Sequence, residues 1–205
     1  MENLKLQGVS KRQVEYLGRD AIQLTIPASA NQDPRTGLSD RDFMAWTEMD
    51  FSNGVIEVDI ASVLAAEAPA YARGFIGVTF RIDGNNRFES VYLRPVNSRV
   101  DDQIRRNHTV QYVAYPDFPF ARLRKEEPEK YESYVDVTMD AWIHMKLVVQ
   151  GTRCELYVDH ASQPCLIVTD MKLGTSQRGG VGLWIEAGTI GYFSNLKISK
   201  SPHQR

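Results

Sequence analysis

The amino-acid sequence predicts an all-β fold, a sandwich of two antiparallel sheets. About twelve short runs alternate apolar and polar residues, the period-two pattern of half-buried strands. Turn signals separate these runs, and no long segment has the periodicity of an amphipathic helix. With neither an internal repeat nor a linker, the chain is expected to form a single domain over residues 1–205, with its core at about 43–199 and N-terminal strands and a loop at 1–42.

The N-terminal part is predicted to begin with a hairpin. Gln13–Leu17 and Ala21–Ile26 alternate on either side of a turn and are expected to form an opening hairpin or a pair of edge strands. Pro27–Asp40 is rich in Ser, Asn, Asp, Pro and Gly, which predicts an ordered loop or flap. The next elements are expected to be two strands and an alanine-rich connection with one or two helical turns, at Phe43–Met49, Val55–Ile60 and Ala61–Tyr71.

The central stretch is predicted to contain a hairpin and a third strand. Gly74–Ile82 and Phe88–Val96 are joined by Asp-Gly-Asn-Asn, whose residues accept positive φ angles. The third run, His108–Tyr115, follows a strongly polar loop. This stretch carries more planar hydrogen-bonding side chains than a structural hairpin needs, so we expect the functional face here.

The C-terminal part is predicted to contain mostly strands. Asp117–Lys130 combines prolines with charges and is expected to hold a short helix or an extended excursion. The remaining runs are all expected to be strands: Tyr131–Val137, Trp142–Gln150, Arg153–Val158, Pro164–Thr169, Gly179–Glu186 and Thr189–Ser199.

Charge and hydropathy argue against some classes of binding partner. The net charge of −2 and the pI near 6.1 argue against nucleic acid and anionic membranes as partners. No apolar run approaches the ~20 residues that span a bilayer, and the N-terminus has no apolar signal region. We therefore expect a cytoplasmic chain, with a secreted protein whose leader has been removed as the alternative. The oligomeric state stays open.

The two cysteines are expected to be reduced. A turn centred near residue 161 puts Cys154 opposite Val168 and Cys165 opposite Tyr157, so the thiols are not cross-strand partners. No CxxC or HExxH spacing indicates a transition metal. We expect no cofactor, and a structural calcium ion remains an alternative.

The central strands supply the candidate ligand-binding residues. Tyr92 and Arg94 share one face of their strand, and Arg81 is in phase with Thr79 on the neighbouring strand. On the next strand either His108 and Tyr112 or Gln111 and Tyr115 can face the same groove. The candidate ligand-binding residues combine planar donors with aromatic rings: Arg81, Tyr92, Arg94, Asn107, Gln111, Tyr112, Tyr115, Tyr134 and Trp184.

Three residues are candidates for acid–base chemistry, should the chain be an enzyme. His108 titrates near neutrality, and Glu132 could reach the groove from the other side. Glu89 lies in phase with Val91 and is therefore expected either to be buried and paired or to break the pattern. A structural role for His108 is the alternative.

Five segments in order resemble the concanavalin A-like lectin/glucanase jelly-roll superfamily, which includes laminin G-like modules. They are FSNGVIEVDI from Phe51, GFIGVTFR from Gly74, WIHMKLVV from Trp142, CELYVD from Cys154 and GYFSNLKI from Gly191. The chain is similar in particular to bacterial glycosidase-like domains whose relatives act on 3-keto-disaccharides. The resemblance implies a jelly-roll fold and a saccharide ligand. The E-x-D-x-x-E motif of the glucanases is missing, because Glu57 and Asp59 have no third acid in place.

The function expected from these observations is recognition of a saccharide in a groove of the concave sheet, with glycoside hydrolase or lyase activity left open. The alternative is a non-catalytic interaction module of laminin G type that binds a protein or glycan through its loops. A buried, hydrogen-bonded carboxylate–histidine pair in the groove would favour the enzyme.

Overall fold

The computed structural model describes residues 3–27 and 40–201. The expected loop at Pro27–Asp40 lies outside the described residues except for its two ends. The strands are β1 (Lys5–Gln7), β2 (Ser10–Tyr16), β3 (Arg19–Thr25), β4 (Met44–Phe51), β5 (Gly54–Leu64), β6 (Ile76–Ile82), β7 (Phe88–Leu93), β8 (Val110–Tyr115), β9 (Glu132–Ser133), β10 (Ile143–Gln150), β11 (Arg153–Val158), β12 (Leu166–Val168), β13 (Gly179–Ile185) and β14 (Thr189–Lys200). The helices are α1 (Pro95–Ser98), α2 (Gln103–Asn107) and α3 (Phe120–Glu126), and none of them is long and apolar enough to cross a membrane.

The strands form two sheets of seven strands each. Sheet 1 has the order β1-β4-β13-β6-β7-β8-β9, and sheet 2 has the order β12-β11-β10-β5-β14-β3-β2. Hydrogen-bonded neighbours run antiparallel in both sheets. The expected two-sheet antiparallel sandwich is confirmed, and so is the N-terminal hairpin, which places β2 at the edge of sheet 2.

The apolar core lies between the two sheets. Val78 and Leu183 from sheet 1 and Val58, Leu147 and Phe193 from sheet 2 belong to one cluster and are fully buried. Each such side chain contributes roughly 1.5–3 kcal/mol by leaving water. The alternating pattern of the strands therefore fixes which face of each sheet points inward.

A row of residues crosses the outer face of sheet 1. Trp184 lies opposite Gly77, Gly77 opposite Tyr92, and Tyr92 opposite Gln111 on consecutive strands. Because Gly77 has no side chain, the rings of Trp184 and Tyr92 meet above it, with their centroids 4.6 Å apart. This glycine therefore shapes the surface on which the candidate site is built.

Replacing Gly77 with alanine is expected to destabilise the protein by about 1–3 kcal/mol, the typical cost of overpacking. The added Cβ would lie 2.3 Å from the Val91 carbonyl oxygen and 2.5 Å from Tyr92 Cα, and both are backbone atoms that cannot rotate away. Urea unfolding measures the change. Gly84→Ala is the control, since its Cβ meets nothing within 4 Å, and an equal loss in the two variants would contradict the packing argument.

The expectation that Arg81 shares the groove face with Thr79 is wrong. The register between β13 and β6 shifts between Gly180 and Val181, and Arg81 has a φ of +57°. This β-bulge turns the side chain away from the outer face. Arg81 is fully buried and donates to the carbonyl oxygens of Ser52 and Gly151, at 2.8 and 2.7 Å.

Glu89 and Tyr112 face the core instead of the groove. Val91 pairs with Tyr112 and with Val78, so these residues share the inner face of sheet 1, and Glu89 follows the same phase. The Tyr112 hydroxyl donates to Glu89, which also accepts from the Leu173 amide at 3.0 Å. Burial raises the pKa of Glu89 to about 7. Glu89 is thus buried and paired, and placing Tyr112 in the groove was wrong.

Several elements differ from the sequence prediction. β5 continues to Leu64, because its small residues pair with β14 where a helical connection was expected. The strand expected at Tyr131–Val137 is reduced to the two residues of β9. The polar loop after β7 contains the short helices α1 and α2.

The cysteines are unbonded, and Cys154 lies opposite Val168 as the turn position predicted. Within the described ranges, no group of three or more His, Cys, Asp or Glu residues is arranged to hold a metal ion.

Candidate functional site

A cavity of about 580 Å³ opens at one end of the outer face of sheet 1. Strand direction explains its position. β6 begins, β7 ends, β8 begins and β13 ends at this edge, since consecutive neighbours are antiparallel. The described residues that line the cavity are Asp40, Arg41, Tyr71, Arg73, Phe75, Tyr92, Arg94, Asn97, Arg105, His108, Phe120, Ala121, Arg124, Glu186 and Ala187.

Arg94 is a firmly held cation in the cavity. It follows the last residue of β7 and is 4% exposed. Its guanidinium donates to the Tyr92 hydroxyl at 3.0 Å, to Gln111 Oε1 at 3.1 Å and to the His108 carbonyl at 3.0 Å. The group also lies 5.0 Å from the Tyr92 ring centre and 5.2 Å from that of Phe120. One fork of donors is thereby fixed in place between two aromatic rings.

Glu132 lies behind Arg94 and is held by cations. Arg124 donates to both of its carboxylate oxygens, through Nε at 2.9 Å and through the terminal nitrogen. Arg94 is 3.6 Å away, and His108 Nε2 is 3.5 Å from Glu132 Oε2. The carboxylate therefore acts as a shared anchor for the cations around it.

His108 lies at the rim, where α2 leads into β8. Its pKa is lowered, chiefly because burial disfavours the imidazolium; the charge of Glu132 opposes this shift, and the charges of Arg124 and Arg94 add to it. This environment favours the neutral ring, which can both donate and accept a hydrogen bond.

Asp40 connects the floor of the cavity to its helical wall. Its carboxylate accepts from the Tyr92 hydroxyl and, at 2.7 Å, from the backbone amide of Phe120 at the start of α3. Burial raises the pKa of Asp40, which is 5% exposed. The same burial and the neighbouring Asp40 charge hold the pKa of Tyr92 well above its usual value.

Arg41 and Glu186 form the opposite wall. Glu186 accepts from Arg41 Nε at 3.0 Å, from the Arg41 backbone amide at 2.9 Å and from the Ala187 amide at 2.8 Å. Trp184 donates through Nε1 to the Arg41 carbonyl at 2.6 Å. This buried ion pair fixes the segment around Arg41 against the end of β13.

The structure brings together only part of the predicted set. Tyr92, Arg94 and His108 line the cavity, while Gln111, Glu132 and Trp184 lie directly beneath or behind these residues and contact them. The other candidates lie elsewhere: Arg81, Glu89, Asn107, Tyr112, Tyr115 and Tyr134.

The positions of the outlying residues have simple causes. Asn107 is exposed on α2 and accepts from Gln103. Tyr115 faces outward at the far end of β8, where its ring stacks on Phe88 at 4.9 Å. Tyr134 is 37% exposed and accepts a hydrogen bond from Arg106.

The sequence reasoning missed several lining residues, chiefly Asp40, Arg41, Arg73, Phe120 and Glu186. Asp40 and Arg41 were overlooked because they adjoin a polar loop. Glu186 carried a weak signal, since it shares a strand face with Trp184. Its pairing with Arg41 spans 145 residues, and no local pattern reveals such a contact.

The acids Glu57 and Asp59 lie on the other sheet, away from this cavity. Asp59 pairs with Arg19 at 2.7 Å and accepts from Asn195 at 2.7 Å, and His144 Nδ1 is 2.8 Å away. β5 pairs with the closing strand β14, so both acids point outward from sheet 2.

Comparison with known proteins defines the fold. No protein-family model matches the sequence, and no curated protein matches it. Among solved structures, the carbohydrate-binding module CBM66 from Bacillus subtilis is 14% identical, with a TM-score of 0.54 over 93% of this chain and 94% of that chain. A protein of unknown function with a galectin-like fold from Bacillus subtilis is 12% identical, with a TM-score of 0.52 over 94% and 88% of the two chains.

At these identities the likeness concerns the fold. The chain is a jelly-roll sandwich of concanavalin A-like type, as the resemblance in sequence implied. Function has to be argued from the cavity itself.

Proposed function

We propose that the cavity at the end of sheet 1 binds a saccharide. The observation that carries this proposal is the fixed guanidinium of Arg94, flanked by the rings of Tyr92 and Phe120. A sugar presents hydroxyl groups at its edge and C–H groups on its faces. Three of the five N–H donors of Arg94 bind Tyr92, Gln111 and His108, so two are left for sugar hydroxyls, and the aromatic rings beside them suit the C–H faces.

The size and lining of the cavity support the same ligand class. Its volume of about 580 Å³ falls within the range of small-molecule sites. Phe75, Phe120 and Tyr71 contribute aromatic walls, and Asn97 adds a polar group. The fold neighbour with a TM-score of 0.54 is a carbohydrate-binding module, which agrees with this proposal.

The acids near the cavity favour binding over turnover. Glu132 accepts from Arg124, Glu186 from Arg41, and Asp40 from Tyr92. A general acid or nucleophile needs an oxygen directed at the substrate, and these oxygens already hold protein donors. The His108–Glu132 pair, at 3.5 Å, is likewise anchored by arginines.

A saccharide panel tests the proposal in two stages. Thermal shift identifies ligands, with and without calcium, because a ligand at 100 times its dissociation constant stabilises by about 2.7 kcal/mol. Isothermal titration then compares Ala121→Trp with the unmodified protein. Ala121 is an exposed residue of α3 that lines the cavity, so the indole should fill the space while the hydrogen bonds remain.

We expect Ala121→Trp to weaken saccharide binding at least ~10-fold and Arg94→Lys to weaken it roughly 10–100-fold, since lysine lacks the planar fork. The matched control is Ala161→Trp, the same substitution at an exposed position outside the cavity. Unchanged affinity in Ala121→Trp would place the binding site elsewhere and refute the proposal.

Failure of every saccharide in the panel would favour the interaction module of laminin G type instead. Chromatography of the bound ligand after long incubation separates binding from turnover. We expect the saccharide to be recovered intact. Cleavage products would contradict the binding function and direct attention to His108 and Glu132.

A further inference from the structure

The described part of the cavity lining carries more cations than its carboxylates neutralise. Among these residues the guanidinium groups outnumber the carboxylates: the former are Arg41, Arg73, Arg94, Arg105 and Arg124, and the latter are Asp40 and Glu186. Glu186 is paired with Arg41, and Glu132, behind the wall, is paired with Arg124. The charges of the remaining three arginines are less fully neutralised by carboxylates.

Arg73 and Arg105 are held by neutral oxygens. Arg73 donates to the carbonyls of Ala70 and Ala72, at 2.7 and 2.8 Å. Arg105 donates to Asn97 Oδ1 from Nε and from a terminal nitrogen, at 3.4 and 3.2 Å. Among residues 3–27 and 40–201, neither guanidinium has a carboxylate within 4 Å.

Arg94 completes the group, which we call the arginine cluster (Arg73, Arg94 and Arg105). Its nearest carboxylate is Glu132 at 3.6 Å, and that carboxylate is already bound by Arg124. The three cations also repel one another. The pKa of Arg73 is below its usual value, first because of burial and then because of the charges of Arg105 and Arg94.

A neutral sugar hydroxyl can accept a hydrogen bond from a guanidinium but cannot offset its charge. A carboxylate does both, and its two oxygens match the arginine fork in geometry. In a partly buried site this charge pairing is screened less than at an open surface. An anionic ligand would therefore relieve the repulsion within the arginine cluster.

We propose that the cavity selects acidic saccharides, whose carboxylate binds the arginine cluster while the ring lies against the aromatic wall. This inference rests on the proposed saccharide-binding function and specifies its ligand class. A uronate unit meets both requirements, since its carboxylate replaces the terminal hydroxymethyl group of the neutral sugar.

The test compares matched pairs of probes by isothermal titration: D-galacturonate with D-galactose, D-glucuronate with D-glucose, and the corresponding disaccharides. Sodium acetate and inorganic phosphate serve as anions without a sugar. We expect a uronate to bind at least ~10-fold more tightly than its neutral partner, equal to about 1.4 kcal/mol. Raising the salt from 50 to 300 mM should reduce this preference.

Variants test whether the arginine cluster causes the preference for acidic saccharides. Arg105→Gln and Arg73→Gln should each remove most of the difference in affinity between a uronate and its neutral partner, whereas Arg105→Lys should keep part of that difference. Arg99→Gln is the control, because Arg99 is an exposed arginine between α1 and α2 that pairs with Asp136 outside the cavity. Melting temperatures confirm that each variant folds.

The outcomes separate the two proposals. Equal affinity for galacturonate and galactose would overturn the acidic preference and leave saccharide binding intact. Acetate or phosphate binding as tightly as a uronate would show a general anion site and overturn the inference as well. If no saccharide binds, both proposals fail.

Discussion

Replacing Arg81 with alanine should lower the free energy of unfolding by about 3–5 kcal/mol, the cost of disrupting a buried charged network. The guanidinium is fully buried and donates to the carbonyls of Ser52, Gly151 and Gly174, at 2.8, 2.7 and 3.3 Å. Those oxygens belong to three separate turns. Without Arg81 they lose their donor at a place that water reaches poorly, so equilibrium urea unfolding should detect a large shift in midpoint.

The control for this prediction is Arg153→Ala. Arg153 is exposed on β11 and pairs with Glu155, so its removal should change stability by no more than ~0.5 kcal/mol. Arg81→Lys should recover less than half of the loss, because a single ammonium group cannot reach three turns at once. A loss below ~1 kcal/mol for Arg81→Ala would contradict the bridging role.

Glu89 should make the protein less stable as the pH rises from 4.5 to about 7. Burial raises the pKa of Glu89 to about 7, whereas its usual value is 4.5. Between these values the unfolded chain has released the proton and the native protein retains it. The free energy of unfolding therefore falls with rising pH, by about 3 kcal/mol from this group alone.

Comparing the unmodified protein with Glu89→Gln isolates this contribution. The variant has lost the titrating group, so its deficit in unfolding free energy should be largest at pH 4.5 and should shrink by about 3 kcal/mol by pH 8. Urea unfolding at several pH values provides the measurement. Glu126→Gln, at an exposed residue of α3, is the control for removing a carboxylate at the surface. A constant deficit for Glu89→Gln would contradict the buried, protonated state.

The fold was largely predictable, because local alternation and turn chemistry encode strands and their inner faces. The hairpin of β6 and β7 and the reduced cysteines follow from such patterns. The failures arise where the period breaks. The β-bulge at Arg81 reverses the direction of its side chain, and no neighbouring residue type in the sequence predicts a bulge there. In β5 the small residues after Ile60 predict a helical turn, but pairing with β14 stabilises a strand there.

The candidate site was predictable only in part. Tyr92 and Arg94 were predicted because they alternate on one strand. Asp40 contacts Tyr92, 52 residues away, and Glu186 contacts Arg41, 145 residues away, and local patterns do not reveal contacts at such separations. The phase of β8 could not be chosen from sequence, since both faces carry polar and aromatic residues. Pairing with β7 puts Gln111 beside Tyr92 and so turns Tyr112 inward.

Two inserted segments form part of the cavity wall, and they offer the molecule a way to diversify. α1 and α2 lie between β7 and β8, and α3 lies between β8 and β9. The first insertion leaves from and returns to the cavity rim of sheet 1, and the second leaves from the far end of β8 and returns to β9 beside the first residues of β8. Their length and side chains can therefore vary with little effect on strand pairing. Sequence changes in these two connecting segments could therefore change the ligand preference, while the strands of the sandwich keep their alternating pattern.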